Sequence, residues 1–234
     1  MIEEVDFETF LYISKNKYEL YVNDKRNLKN LYKQELKIED KINPNKLNYL
    51  SNFLDENIYR IEKLVGNFIK DITLIVENDE ILNIDIGIKK RFFEKNLNKN
   101  YLENNLIQVK DLFKENYKDQ NIMHMIIINY DENSKTNLSY NFDVNDEHLY
   151  LAVKFISISN SQASVFDKLL EKHQIQINQY MSGEYIKNFF EGEVGTISMM
   201  ANKLKNGFNK NEVILVSKNV KNKGFFEKFF QLFS

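Results

Sequence analysis

The run Ile122-Met-His-Met-Ile-Ile-Ile-Asn-Tyr130 constrains the fold most. It is apolar on both faces yet only as long as a strand, so it must lie inside a sheet covered on both sides. The residues after it read as turn, strand, strand, helix and strand. Residues 131–135 are turn formers. Residues 137–143 alternate, with Leu138, Tyr140 and Phe142 against polar neighbours, as in a half-buried strand. Residues 149–159 form a third strand with Leu151, Val153 and Phe155 on one face. A helix then carries Val165, Phe166, Leu169 and Leu170 on one stripe, with Ser161 as its candidate N-cap. It ends near His173, and residues 174–178 return as a short strand. Residues 122–177 thus read as one α+β unit.

Upstream, residues 7–14 and 18–22 form a β-hairpin, and residues 31–39 alternate as a third strand. Pro44 marks a helix start at the first helical position. Leu47, Leu50, Phe53, Leu54, Ile58, Ile61, Leu64, Val65 and Phe68 then follow helical spacing, giving a helix over residues 45–69. Residues 72–76 are a buried strand, 77–80 a turn and 81–88 another strand. Residues 92–100 are a polar loop, and residues 101–117 return to helical spacing through Leu102, Leu106, Val109, Leu112 and Phe113. Beyond residue 178, short helices span 181–190 and 197–204, separated by Gly192-Glu-Val-Gly195. An extended segment covers 213–216, and residues 219–223 are a polar hinge.

The 234 residues suffice for one large domain or two small ones with a real core. Net charge is −2 with signs interspersed, which argues against a nucleic-acid surface, since such domains concentrate Lys and Arg on one face. There is no cysteine, so disulfide and thiolate chemistry are excluded. The acidic start lacks the pattern of a signal peptide, and no run approaches the ~20 apolar residues of a bilayer span. The expectation is a cytoplasmic protein, peripheral on the inner face of the membrane.

Catalytic chemistry is not visible. His124, His148 and His173 share no ligand spacing, so no metal site is expected. No serine sits in a nucleophile elbow, and Gly192-Glu-Val-Gly-Thr196 lacks the Gly-Lys-Ser/Thr of a phosphate loop. Asp85-Ile-Gly87 reads as part of a strand. The expectation is no catalytic residue, no cofactor and no enzyme.

The C-terminal end carries the strongest functional signal. Phe225, Phe226, Phe229, Phe230, Leu232 and Phe233 fall mostly on one helical face. Glu227, Lys228 and Gln231 take the other, with Lys218, Lys221 and Lys223 upstream. The segment is too short to cross a bilayer but suits an amphipathic helix lying in the interface. At roughly 1–2 kcal/mol per partly buried Phe, the total is on the order of 6–10 kcal/mol before ordering costs. Lysines near an anionic leaflet add about 1 kcal/mol each. The expected membrane contacts are Phe225, Phe226, Phe229, Phe230, Leu232, Phe233, Lys221, Lys223 and Lys228. The alternatives are a helix docked in its own core or in a dimer interface.

The order of elements resembles the first half of FtsA, the actin-like family that tethers the bacterial division ring to the membrane. In that family an N-terminal hairpin leads to a long helix, then a strand, then an inserted strand-helix-strand-strand (SHS2-type) subdomain. Ile122–Tyr130 falls where the family carries its "hvIP-x-x-Y" strand, and Ala152-Val-Lys-Phe-Ile-Ser157 where it has "a-x-vHivt". Residues 176–190 resemble the re-entry into the first domain, and the aromatic tail the family's membrane helix. The resemblance implies an α+β fold with a partial actin-like lobe over 7–80 and the subdomain over 81–177. A return to the first lobe over 178–218 and a hinge with tail over 219–234 complete it. The family's first phosphate hairpin opens with Asp-x-Gly, whereas Phe10-Leu-Tyr-Ile-Ser-Lys-Asn-Lys17 has neither; its Gly-rich second hairpin and second lobe are not expected here.

The functional expectation is therefore a non-enzymatic, degenerate FtsA-like adaptor. Its expected partners are the cytoplasmic membrane surface, division-machinery proteins and other copies of itself, with no nucleic acid. The alternative is a soluble protein-interaction domain, or a pilus or secretion platform component, whose tail packs on its own body.

Overall fold

The computed structural model describes residues 6–38, 46–91, 99–128 and 148–214, and the chain divides into two compact units. Among the described residues, unit 1 takes those up to Ile81 and Ser161–Asn206, and unit 2 takes those within Leu82–Asn160 and 207–214.

Unit 1 is built on a five-stranded mixed sheet. The expected hairpin forms as β1 (Phe7–Ile13) and β2 (Lys17–Asp24), and β3 (Asn30–Lys37) continues it antiparallel. β4 (Asp71–Val76) joins the other side of β1 in parallel, with Phe10 opposite Thr73. β8 (Gln176–Ser182) pairs parallel with β4, giving the order β3-β2-β1-β4-β8. Successive side chains alternate across the sheet, and consecutive residues of β1, β2 and β4 are buried, so both faces are covered there.

On one face Phe10, Tyr12, Tyr21 and Ile75 pack with Met181, Ile186, Phe190, Ala201 and Leu204. The last four come from α4 (Gly183–Phe189), the residue capping it, and α5 (Ile197–Lys205). α1 (Lys46–Val65) serves the opposite face, where Phe53 meets the Tyr18 ring at 6.4 Å and Asn57 accepts a 2.5 Å hydrogen bond from Tyr32. Leu50, Phe53, Leu54, Ile58, Ile61 and Val65 are buried, as their spacing predicts, whereas Leu47 and Leu64 of the same predicted stripe are exposed.

α1 stops four residues before the expected 69. Gly66, at φ +72°, terminates it while its N–H still reaches the Glu62 carbonyl at 2.9 Å. Glu62 Oε1 then accepts the Ile69 N–H at 3.1 Å and steers the chain into β4. Phe68, expected on the apolar stripe, therefore lies past the helix and is 77% exposed.

Unit 2 runs strand, helix, strand, strand: β5 (Leu82–Arg91), α2 (Lys99–Asn116), β6 (Gln120–Ile128) and β7 (His148–Ser159). Its sheet has the order β5-β7-β6, both pairs antiparallel. Leu106, Val109 and Phe113 of α2 pack on Met125, Ile127, Leu151, Val153 and Phe155, and the Phe113 and Phe155 rings stack at 4.5 Å. The Asp85-Ile-Gly87 triplet is ordinary strand within β5.

The reading of 122–177 as one unit is corrected. α3 (Asn160–Glu171) and β8 cluster with unit 1, because β8 spends its backbone hydrogen bonds on β4. β6 and β7 instead bond to each other. Ser161 lies inside α3 rather than capping it, since the helix starts at Asn160. Residues 207–214, expected with the first lobe, belong to unit 2: Glu212 bridges to Ile126, and Val213 joins the core. The expected turn and strand over 131–143, Pro44, the polar loop over 92–98 and the tail lie outside the described residues.

Candidate functional site

Parallel strands in an open sheet leave a crevice beyond their carboxyl ends, where such folds bind ligands. In unit 1 that place lies beyond β1, β4 and β8. Three pieces of chain meet there: the β1–β2 turn, Glu77 just past β4, and α4, which starts directly after β8.

Each is fixed locally. Ser14 donates its N–H to the Lys17 carbonyl at 3.0 Å, and its Oγ accepts the Lys17 N–H at 3.2 Å, closing the β1–β2 turn. The Glu77 N–H donates to the Ile13 carbonyl at 2.9 Å, extending the β1–β4 pairing by one residue. Ser182 caps α4, its Oγ accepting the Tyr185 N–H at 3.2 Å. Lys15 and Asp79 form an exposed ion pair above the turn.

Between these elements the space is filled by side chains. Tyr12, 1% exposed, donates its OH to Glu77 Oε2 at 2.5 Å. Lys187 donates to the Tyr12 oxygen at 2.8 Å and to Glu77 Oε2 at 2.6 Å. Burial, followed by the hydrogen bond to Glu77, pushes the Tyr12 phenol up to about 12. Burial acts to lower the Lys187 pKa, but its bonds to Glu77 and Tyr12 outweigh this and hold it above the ordinary lysine value.

The three groups therefore satisfy one another: one carboxylate, one ammonium and one protonated phenol. At neutral pH the phenol is a donor and not a base. Gly183 completes the closure. A Cβ there would stand 3.0 Å from Glu77 Cβ, 3.0 Å from Tyr12 Cε2 and 3.1 Å from Glu77 Oε2, so only glycine lets α4 come this close.

Beside the cluster, buried Glu19 takes Lys17 at 3.0 Å and Lys33 at 3.5 Å. Burial opposes ionisation of Glu19, but hydrogen bonds led by Lys17 prevail and hold its pKa below the ordinary carboxylate value. Burial and the Glu19 charge in turn drive the Tyr21 phenol strongly upward. Lys17 and Lys187 lie 5.6 and 5.3 Å from the centre of the Tyr12 ring.

At the opposite end of the strands a groove of about 690 Å³ is lined by Asp55, Tyr59, Glu62, Phe68, Lys70 and His173 among others. His173 Nε2 stands 3.4 Å from Asp55 Oδ1. In unit 2, His124 is buried with its Nδ1 2.6 Å from Glu212 Oε1. Among the described residues no group of three or more His, Asp or Glu could hold a metal ion. No helix among them is long and apolar enough to cross a membrane.

The nine expected membrane contacts, Phe225, Phe226, Phe229, Phe230, Leu232, Phe233, Lys221, Lys223 and Lys228, all lie outside the described residues. The sequence reading missed Tyr12, Glu77 and Lys187, which are 65 and 175 positions apart along the chain. The one local signal was Ser182-Gly183 immediately after a strand, a cap followed by a residue without a side chain.

No protein-family model matches the chain, and neither does any curated protein. Among solved structures, the cytoplasmic domain of EpsL is similar over 77% of this chain and 57% of its own, with 8% identity and a TM-score of 0.36. EpsL is an inner-membrane component of the type II secretion system of Vibrio cholerae. A Bacteroides thetaiotaomicron protein of actin-like ATPase fold and unknown function is similar over 81% of this chain and 58% of its own, at 12% identity and a TM-score of 0.33. A chain of the PilM–PilN type IV pilus biogenesis complex is similar over 78% and 49%, at 6% identity and a TM-score of 0.46. This chain thus spans about half the length of these solved chains. Likeness this loose carries no argument about activity or partners.

Proposed function

We propose that the chain is a non-enzymatic assembly module. It is an actin-like first lobe with a strand-helix-strand-strand insertion, and it acts by binding other proteins within a multiprotein platform such as a pilus or secretion assembly. The observation that carries this reading is the filled crevice. Where an open sheet of this kind receives a nucleotide, Tyr12, Glu77 and Lys187 bond to one another, and Gly183 seats α4 directly on them. A phosphate group needs free backbone or side-chain donors and room for its oxygens. At this crevice the Lys187 ammonium already serves two oxygens of the chain itself.

The order of elements supports the same reading, since hairpin, long helix, strand, insertion and returning strand follow one another as an actin-like first lobe would place them. Calorimetric titration with Mg-ATP and Mg-ADP tests the proposal. We expect no heat beyond dilution. Binding with micromolar affinity would falsify the closed crevice and restore a nucleotide-dependent function.

A second reading, the FtsA-like division adaptor, draws on one sequence feature. The aromatic face of the tail, with Lys221, Lys223 and Lys228 beside it, has the pattern of a helix that lies in a membrane interface. The two readings share the closed crevice and differ in what holds the chain in place.

A further inference from the structure

We propose that the amino ends of β1, β4 and β8 carry a docking surface for a partner protein, centred on Phe68 and fitted to a segment that is apolar in its middle and carries lysine or arginine on both sides. The surface rests on the reading of the chain as an assembly module and gives that module a partner of defined chemistry. The groove of about 690 Å³ at this end of the strands has a neighbour. A second groove, of about 420 Å³, lies at the starts of β1 and β4, lined by Phe7, Thr9 and Asp71 among others. Phe68 and Lys70 line both grooves, so the α1–β4 connection is their shared wall and the two form one surface of unit 1.

The local sequence puts an apolar ring there. Gly66 ends α1, and Glu62 takes the Ile69 N–H, so Ile69 is buried while Phe68 beside it is 77% exposed. Tyr59, 70% exposed, lines the first groove together with Phe68, and so do the buried side chains of Ile58 and Ile69. Two large exposed rings next to a buried aliphatic pair have the composition of an interface centre, where aromatic residues concentrate.

Charge identifies the partner. Asp55 and Glu62 line the first groove with Lys70 and His173, and Asp6 and Asp71 line the second with Lys25 and Lys70. Four carboxylates thus flank Phe68 against two lysines, and Lys25 already gives its ammonium to Asp6 at 2.8 Å. These carboxylates act together: the hydrogen bond to Asp6 leads in holding Lys25 above the ordinary lysine value, burial opposes it, and the charges of Asp6, Glu8 and Asp71 add to it. The Asp6 and Asp55 side chains are both exposed. Tyr59 follows Asp55 by four positions and precedes Glu62 by three, so the three share one face of α1. A cation reaching either carboxylate there passes over the ring, which also attracts it. Carboxylates on both sides of an apolar centre favour a segment of the opposite pattern and repel an acidic one.

The test is binding of two labelled peptides to the full chain by fluorescence anisotropy, one with a Leu-Phe-Leu centre flanked by lysines and one with the same centre flanked by glutamates. We expect the lysine peptide to bind with a dissociation constant of about 100 μM or tighter, and about tenfold or more ahead of the glutamate peptide. Phe68→Ala and Asp55→Lys, both at exposed positions, should each weaken it about tenfold and leave the unfolding midpoint where it is. No binding of the lysine peptide, equal binding of the two, or binding indifferent to either change overturns the proposal. So does binding about tenfold tighter to a chain ended at Lys218, since the tail of the chain itself is then the occupant. Titration with Mg-ATP reports on the crevice at the other end of the strands, so a failure here and a failure of the assembly module are told apart.

Discussion

Tyr12 stands at the centre of the filled crevice, and its chemistry makes the closure measurable. Its ordinary pKa of 10.0 is pushed up to about 12 by burial and by the Glu77 carboxylate. A phenol with a higher pKa in the folded state favours folding while protonated. That contribution is complete below about pH 10 and is lost as pH rises through about 12. Lys187, held above the ordinary lysine value, loses its charge in the same direction. Urea denaturation across this range should therefore show the wild type losing stability relative to Tyr12→Phe as pH rises from 10 towards 12. Parallel curves would mean that the phenol is not held as described. Gly183 gives the steric counterpart. Gly183→Ala forces its new methyl against Tyr12 and Glu77 at 3.0 Å. Expected is a loss of about 1–3 kcal/mol, a Tm drop of roughly 2–12 °C by calorimetry. An unchanged Tm would show that α4 is free to retreat.

Among the elements, the segment that covers β6 is held by a buried pair as well as by its backbone bonds to Met125 and Ile127. His124 and Glu212 meet at 2.6 Å with side chains 0% and 7% exposed, and Glu212 sits on the bridge to Ile126. Removing one partner of such a pair leaves the other buried without it. Glu212→Ala should cost about 1–3 kcal/mol and speed hydrogen exchange at the amides of Ile127 and Val213 well before the rest of β6 opens. Uniform exchange across β6 would argue that the bridge is not a separate fastening. His124 shows how far the sequence could be read at this scale. The apolar run around it placed it in a covered strand, and it is buried there. Glu212 lies 88 positions away, and no spacing rule connects the two. α1 shows the converse: its buried face was legible from periodicity, whereas its end was set by Gly66, which a period-based reading runs past.

On the scale of the whole molecule, the two proposed readings part at the membrane. The FtsA-like adaptor predicts that the full chain floats with anionic liposomes, while a chain ended at Lys218 stays with the soluble fraction. High salt should weaken the flotation, since part of the attraction is between lysines and headgroups. Equal partitioning of the two chains removes the tether and leaves the platform module.

By itself the sequence determined the class of the fold and nearly all of its elements. Apolar periodicity is a local property: a strand or helix that must bury one face writes that face into neighbouring residues, as in β1, β4, α1 and α2. Only the tertiary structure decided which strands pair. β8 follows β7 and α3 in sequence, yet it hydrogen-bonds to β4, more than a hundred residues earlier. That choice sends α3 and α4 to unit 1 and brings Lys187 to Tyr12 and Glu77. Backbone hydrogen bonds carry no residue identity, so strand pairing leaves little trace in composition or spacing. A site assembled across it becomes visible only once the sheet is closed.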